Sequence, residues 1–376
     1  MNSFVIPPEI HHSKDSLSYL ETLSGERAVL VTGGSSMKRF GFLDEAAELL
    51  ENAGMECKII DGVEPNPSVK TVNEGKELML DFKPDWIIAI GGGSALDAAK
   101  IMWAFYEHPD LEFEDIIEVG SIPELRNKAK FIAIPSTSGT ASEITAFSVI
   151  TDLEKKIKYP IVSPEIVPDT AIVDPKIPAT MPPHITANTG MDVMAHAVEA
   201  FVSTAATDYT DPLALKAIEL VFEYLPEAAA NGDNLEAREK MHNASTLAGM
   251  AFSNASLGIV HSLAHKIGGE FHVTHGLANA ILLPHVIDFN YQAAENKFKE
   301  IEEYLEIDDF SSEIKKLNKN LEIKPNFKEI DWLDYSDEDF EEVLARMSQN
   351  ALDDPCTMTN PAEVELEDMK EIYKKA

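Results

Sequence analysis

The stretch from Asp85 to Asp97 reads DWIIAIGGGSALD. Trp86 to Ile90 form an unbroken apolar run that meets three glycines and then a helix-forming segment. Such a run fits a strand buried on both faces, as in a parallel sheet covered by helices. The glycines let backbone approach a ligand closely, and amides at a helix start favour an anion such as a diphosphate. A tight strand-to-helix turn explains the same residues without a ligand, and Gly91 to Ser94 is not the six-residue dinucleotide fingerprint.

Working outward, the alternation repeats. Arg27 to Thr32, Cys57 to Ile60 and Phe131 to Ile134 predict further strands. Phe42 to Ala53, Ser68 to Phe82 and the segment from Gly93 to about Tyr106 predict helices. This order implies an α/β domain with a Rossmann-like parallel sheet. The proline-rich IPATMPP at 177–183 marks a boundary. Beyond it, apolar residues recur at helical spacing, most clearly over 213–225, 237–252, 277–289 and 337–347, with no strand pattern. The expected domains are residues 1–180, α/β and dinucleotide-binding, and residues 181–376, all-helical and carrying metal and catalysis. The acidic, lysine-rich segment from about 293 to 345 predicts solvated helix faces and loops.

The 376 residues carry 31 basic and 65 acidic side chains, a net charge of 31 − 65 = −34. Such a surface repels phosphate backbones and anionic membranes, so neither nucleic acid nor membrane is an expected partner. With five arginines in all, any positive pocket must be local. Cys57 and Cys356 fit buried thiols in a reducing compartment. MNSFVIPPEIHH has no basic n-region or long apolar run, so no signal peptide is expected and the expected location is cytoplasmic.

Two more loops follow strands. Pro135 to Glu143 is rich in hydroxyls and small residues, suited to phosphate or amide groups, or simply a polar loop entering a capped helix. Gly33 to Arg39 has no carboxylate for an adenosine 2′-hydroxyl. Ser35, Ser36, Lys38 and Arg39 offer donors to a 2′-phosphate, which favours NADP over NAD. A solvated turn is the competing account of that loop.

Five of the eleven histidines, His261, His265, His272, His275 and His285, crowd into 25 residues. His261 and His265 share a helix face, as do Asp192 and His196. A carboxylate and an imidazole one turn apart make half of a metal site; His261 and His275 can complete an O,N,N,N set suited to Zn, Fe, Mn or Ni.

These segments resemble the iron-containing (group III) alcohol dehydrogenase family over nearly the whole chain. The motifs are Val31-Thr32-Gly33 with Ser35-Ser36, Asn66-Pro67-Ser68, Gly91 to Ser94, Pro135 to Glu143 and Val149 to Asp152. They continue with Thr186 to Asp192, His196 to Ala200, His261 to His265, His275-Gly276, Asp354 to Thr357 and Thr359-Asn360-Pro361. The resemblance implies a dehydroquinate synthase-like architecture and one divalent metal, Fe(II) or Zn(II), on Asp192, His196, His261 and His275. It implies His265 near nicotinamide and substrate as a proton-relay candidate, with the nicotinamide ribose and bound water as the other routes, diphosphate contacts at Gly92, Gly93 and Ser94, and nicotinamide-side contacts at Thr137 and Thr140. Asn66 and Lys158 align with cofactor-side positions, and Phe252 with an aromatic wall of the substrate pocket. Gly33 stands where NAD-dependent relatives place an aspartate, in line with NADP(H) preferred over NAD(H). Ala141 replaces a frequent glycine, and His12 to Asp15 replaces a Gly-x-Gly near the N-terminus.

The expected reaction is reversible hydride transfer between NADP(H) and a primary alcohol or aldehyde, butanol-like, by a homo-oligomer of at least two chains. A glycerol or propanediol dehydrogenase of the same family is the near alternative. A dehydroquinate synthase-like lyase needs a basic pocket that the arginine-poor helical half does not offer, and a non-catalytic binding protein leaves the donor set unexplained.

Overall fold

The computed structural model describes residues 3–155, 157–333 and 337–376. The chain divides into two compact units, Met1–Thr180 and Met181–Ala376.

The first unit is built on a six-stranded sheet. Its strands are β1 (Glu9–His12), β2 (Arg27–Gly33), β3 (Glu56–Val63), β4 (Trp86–Gly91), β5 (Lys130–Pro135) and β8 (Thr170–Val173). They run in the spatial order β1-β8-β5-β4-β2-β3, and every pairing is parallel. The alternation of side chains explains why the apolar runs are continuous. Val29, Val31, Ile87, Ala89, Phe131 and Ala133 face one core, which includes Leu96, Ala99 and Trp103 of the helix Gly93–Glu107. Leu30, Ile88, Ile90, Ile132 and Ile134 face the other, against Leu20, Leu43 and Leu50. Both faces are buried by helices, as a parallel sheet requires.

The chain steps outward from β2 to β3, then crosses back to lay β4 on the other side of β2. That reversal is a topological switch point, where open α/β sheets place ligands beyond the carboxyl ends of the strands. Gly33, Gly91 and Pro135 end the three neighbouring strands β2, β4 and β5, so all three predicted loops leave the same edge.

Several elements escape the sequence patterns. β1 is a four-residue polar edge, and β8 is equally short. The loop from Pro135 does not lead into a capped helix; it runs into an antiparallel hairpin, β6 (Phe147–Asp152) and β7 (Ile157–Val162). Where the family's N-terminal glycines are replaced, Ser13 and Asp15 adopt positive φ of 143° and 69°, and Ala141 does so at 52°. The substituted residues keep backbone conformations that glycine favours.

The second unit has no strand among its described residues. Its helices are Pro183–Val202, Asp211–Ala230, Leu235–Ala255, Ile259–Phe271, His275–Asn290, Glu295–Leu305, Phe310–Asn320, Asp337–Leu352 and Leu366–Lys375. The acidic segment thus contributes two amphipathic helices, anchored by Phe298, Ile301, Phe310 and Ile314, and the start of a third, Asp337–Leu352; of the 293–345 reading, positions 334–336 lie outside the described residues. No single helix among the described residues is long and apolar enough to cross a membrane.

Candidate metal centre

Three helices of the second unit bring the donors together. Asp192 and His196 sit one turn apart on Pro183–Val202, which starts with proline at its first position, where no amide hydrogen is needed. His261 lies in the first turn of Ile259–Phe271, and His275 opens the next helix. His272 takes a left-handed conformation at φ 58° and ends the earlier helix, turning the chain so that both histidines face Asp192. Gly276 completes the approach: a Cβ there meets the backbone oxygen of Asn188 at 2.2 Å. Any side chain at 276 holds the two helices apart.

Asp192, His196, His261 and His275 each offer one donor atom, and these atoms all lie within 4.8 Å of one another. Asp192 Oδ1 is 3.8 Å from His261 Nε2 and 3.5 Å from His275 Nε2. Asp192, His196 and His261 are buried, whereas 39% of the His275 side chain stays exposed. Among the described residues, no lysine or arginine pairs with the Asp192 carboxylate. Burial works against its charge, but His196, His275 and His261 together hold it well below the usual carboxylate range. Burial pushes His196 down to about 3, so its ring is a neutral lone-pair donor. An isolated buried carboxylate ringed by imidazoles is the donor chemistry of a divalent cation, so the residues fit the group.

Sequence reasoning missed the residues that aim these donors. Glu199 Oε2 accepts from His261 Nδ1 at 2.5 Å, and Oε1 accepts from the Val260 amide at 2.6 Å. Burial lowers the His261 pKa, but Glu199 and then Asp192 more than offset it and carry it up to about 9. With Nδ1–H given to Glu199, Nε2 is the nitrogen turned to the centre, the carboxylate–histidine arrangement that orients metal ligands. The signal was present: Glu199 follows His196 by three residues and is a buried acid on an apolar helix. Glu199→Gln should weaken metal binding by about ten- to a hundredfold, measured by chelator competition.

His265 stands apart from the four donors. Its ring stacks on His275 at 5.4 Å, and Nδ1 is 3.1 Å from Asp354 Oδ2, which also accepts from Lys266 Nζ at 2.7 Å. His265, Asp354 and Cys356 form a second close group of donors, with Lys266 already neutralising the carboxylate. The rest of the 354–361 motif buttresses the His261 helix. Thr357 Oγ1 donates to Ser262 Oγ at 2.8 Å, Thr359 Oγ1 donates to Leu257 O at 2.6 Å, and Asn360 Oδ1 accepts from the Ile259 amide at 3.4 Å. Phe252 stacks on His196 at 4.3 Å.

In the first unit, the predicted cofactor residues gather at the switch point. Gly92 is the N-cap of the Gly93–Glu107 helix and carries no side-chain cap. A Cβ on Gly93 meets Thr140 Oγ1 at 2.9 Å, and one on Gly92 lies 3.7 Å from Thr137, so both threonines lie over the turn. Ser94 Oγ accepts from the Asn66 amide at 3.4 Å, and Lys158 Nζ donates to Asn66 Oδ1 at 2.7 Å. Burial lowers the Lys158 pKa. Ser36 and Lys38 lie in the short helix Ser36–Arg39, which Ser35 precedes as N-cap. Gly33 has a packing reason of its own: a Cβ there meets Val63 O at 2.7 Å, beside a register shift between β2 and β3.

The family model described as iron-containing alcohol dehydrogenase matches residues 7–175, and the model for the C-terminal part of the Fe-containing alcohol dehydrogenase family matches residues 186–376. The chain is 50% identical to the NADPH-dependent butanol dehydrogenase of Clostridium saccharobutylicum, over 100% of this chain and 97% of that protein. The solved structure of a 1,3-propanediol oxidoreductase superposes with a TM-score of 0.93 at 34% identity, covering 100% of this chain and 99% of the other. An alcohol dehydrogenase from Oenococcus oeni gives 0.92 at 31% identity, with 100% of both chains covered.

Proposed function

The chain belongs to the iron-containing alcohol dehydrogenase family, and from that premise we propose that it interconverts a primary alcohol, butanol-like, and its aldehyde with NADP(H). The single observation that carries this reading is the convergence of Asp192, His196, His261 and His275 within 4.8 Å. In the proposal these four hold one divalent cation, Fe(II) or Zn(II), in the helical unit, and the α/β unit binds the dinucleotide. When bound, the cation supplies a Lewis acid for the alcohol or carbonyl oxygen, and the nicotinamide supplies the hydride carrier.

The protein's own residues divide the remaining work. Glu199 fixes the tautomer of His261. Phe252 packs flat on His196 and gives the substrate an apolar wall. His265, with 40% of its side chain exposed, accepts the alcohol proton during oxidation and returns it during reduction. Asp354 receives Nδ1–H and leaves Nε2 as the accepting nitrogen. Burial opposes its charge, yet His265 and Lys266 hold it ionised well below the usual range. Gly92, Gly93 and Ser94 cradle the diphosphate, with Asn66, Lys158, Thr137 and Thr140 around it.

NADP over NAD rests on Ser35, Ser36 and Lys38 at the end of β2 and on the NADPH-dependent relative. Gly33→Asp is a poor probe of this choice, because the new Cβ strikes backbone. Lys38→Ala, at a helical position, should lower kcat/KM with NADPH about ten- to a hundredfold, as for loss of one charge-assisted bond, and leave NADH unchanged. A cytoplasmic, homo-oligomeric enzyme is part of the same proposal. The deciding assay is initial rates with butyraldehyde, NADPH against NADH, on metal-stripped protein reloaded with Fe(II) or Zn(II). Metal-dependent, NADPH-preferring turnover supports the reading. NADPH binding with turnover only on glycerol or propanediol moves the substrate to polyols, and no redox turnover at all overturns it.

A further inference from the structure

Asn279 lies one helical turn beyond His275 and is fully buried. Its Nδ2 is 2.6 Å from Asp192 Oδ1 and 3.2 Å from Nε2 of both His261 and His275. Its Oδ1 is buried with no hydrogen-bond partner. A primary amide nitrogen carries two hydrogens, of which Asp192 Oδ1 takes one, and each Nε2 accepts only in the tautomer that leaves it bare. A buried amide oxygen gains nothing where it stands, and such orphans are rare in native proteins. One motion turns the orphaned oxygen toward the donors. A half-turn of the carboxamide exchanges oxygen and nitrogen at almost unchanged positions. The oxygen lone pairs then face the focus of Asp192, His261 and His275. Lone pairs that converge in this way repel one another unless a cation sits among them.

We propose that Asn279 is a fifth protein ligand of the metal centre, its amide oxygen binding the cation and its amide nitrogen holding the donors together when the cation is gone. The inference rests on the four-donor reading given above. Its chemistry is consistent: an amide carbonyl is a neutral, hard oxygen donor that adds a ligand without adding charge. Its placement is consistent too. His275 and Asn279 repeat the i, i+4 spacing of Asp192 and His196, so two helices each present a pair of donors to one point.

Co(II) reports coordination number through its visible absorption, which is intense in four-coordinate sites and weaker in five-coordinate ones. Metal-stripped wild-type protein, Asn279→Leu, Asn279→Asp and Asp192→Ala are titrated with Co(II) alone. The wild type should bind one equivalent with weak bands. Asn279→Leu, which keeps the volume and excludes water, should raise the Kd about ten- to a hundredfold and intensify the bands. Asn279→Asp, which keeps the ligating oxygen, should retain the wild-type bands and bind no more weakly. Unchanged band intensity in Asn279→Leu overturns the proposal whatever the affinity, and so do bands in Asn279→Asp that match those of Asn279→Leu. A wild type that binds no Co(II), or binding indifferent to Asp192→Ala, overturns the four-donor reading and the proposal with it, an outcome distinct from the other two.

Discussion

Replacing Asp192 with alanine is expected to lower kcat/KM at least about a thousandfold while NADPH still binds. Asp192 is the one anionic donor among the four, and the three imidazoles are arranged around it. Without it a divalent cation would meet neutral rings and the His261 proton held by Glu199, with nothing to offset its charge loss on leaving water. Lewis-acid stabilisation is worth several kcal/mol, and about 4 kcal/mol corresponds to a thousandfold in rate. The residues proposed to hold the dinucleotide belong to the other compact unit, so cofactor affinity should survive. Metal content, NADPH fluorescence and butyraldehyde reduction are to be measured on one preparation. Full turnover in this variant would remove Asp192 from the ligand set.

Lys100→Met should destabilise the α/β unit by about 3–5 kcal/mol, the range for breaking a buried charge pair, or roughly 10 °C in melting temperature. Lys100 is fully buried and donates to Thr145 O and Phe147 O, both at 2.8 Å. It also offsets the charge of Asp97, whose carboxylate accepts from Ser142 Oγ at 2.7 Å and the Val149 amide at 3.0 Å. These groups tie the Pro135–Glu143 loop and the β6–β7 hairpin to the helix that begins at Gly93. NADPH affinity should therefore fall together with stability. The pH dependence carries a sign. Burial pushes the Lys100 amine down to about 8 from the ordinary 10.5. Below pH 8 folded and unfolded chains both hold this proton; between 8 and 10.5 only the unfolded chain does. Lys100 therefore makes stability rise with pH across that window, by about 3 kcal/mol in all. Melting curves over pH 7–10 should show this rise in the wild type relative to Lys100→Met, and parallel curves would sink the account.

How much was legible depended on what each residue had to do. The central strands announced themselves because both their faces are covered, which forces unbroken apolar runs such as Trp86 to Ile90. β1 did not, since four residues at an edge need little apolar surface and Glu9, His11 and His12 carry polar groups, and β8, paired on both sides and buried, is only four residues long. The hairpin after the Thr137 loop was hidden by exposed positions such as Val149 and Ile157, which blur the alternation. Asp192 and His196 stood out by helical spacing, whereas His261 and His275 stood out by the crowding of five histidines into 25 residues and by the resemblance. Glu199 showed only as an acid three residues after His196, and Asn279 not at all, because their partners are 62 and 87 residues distant in sequence. The left-handed turn at His272 that brings His275 beside Asp192 has no glycine to mark it.

The contact between Gly276 and Asn188 bears on where the enzyme obtains its selectivity for metal. The donors are set by helices pressed backbone to backbone, a fit made by packing before any ion arrives. On the proposed function, such a socket would be built once, at folding, and could be emptied and refilled without being rebuilt. Imidazole and carboxylate arranged this way accept several first-row ions, so the occupant is decided by which ion the surroundings offer in excess. The same polypeptide would then be an iron enzyme or a zinc enzyme according to the supply in which it matured.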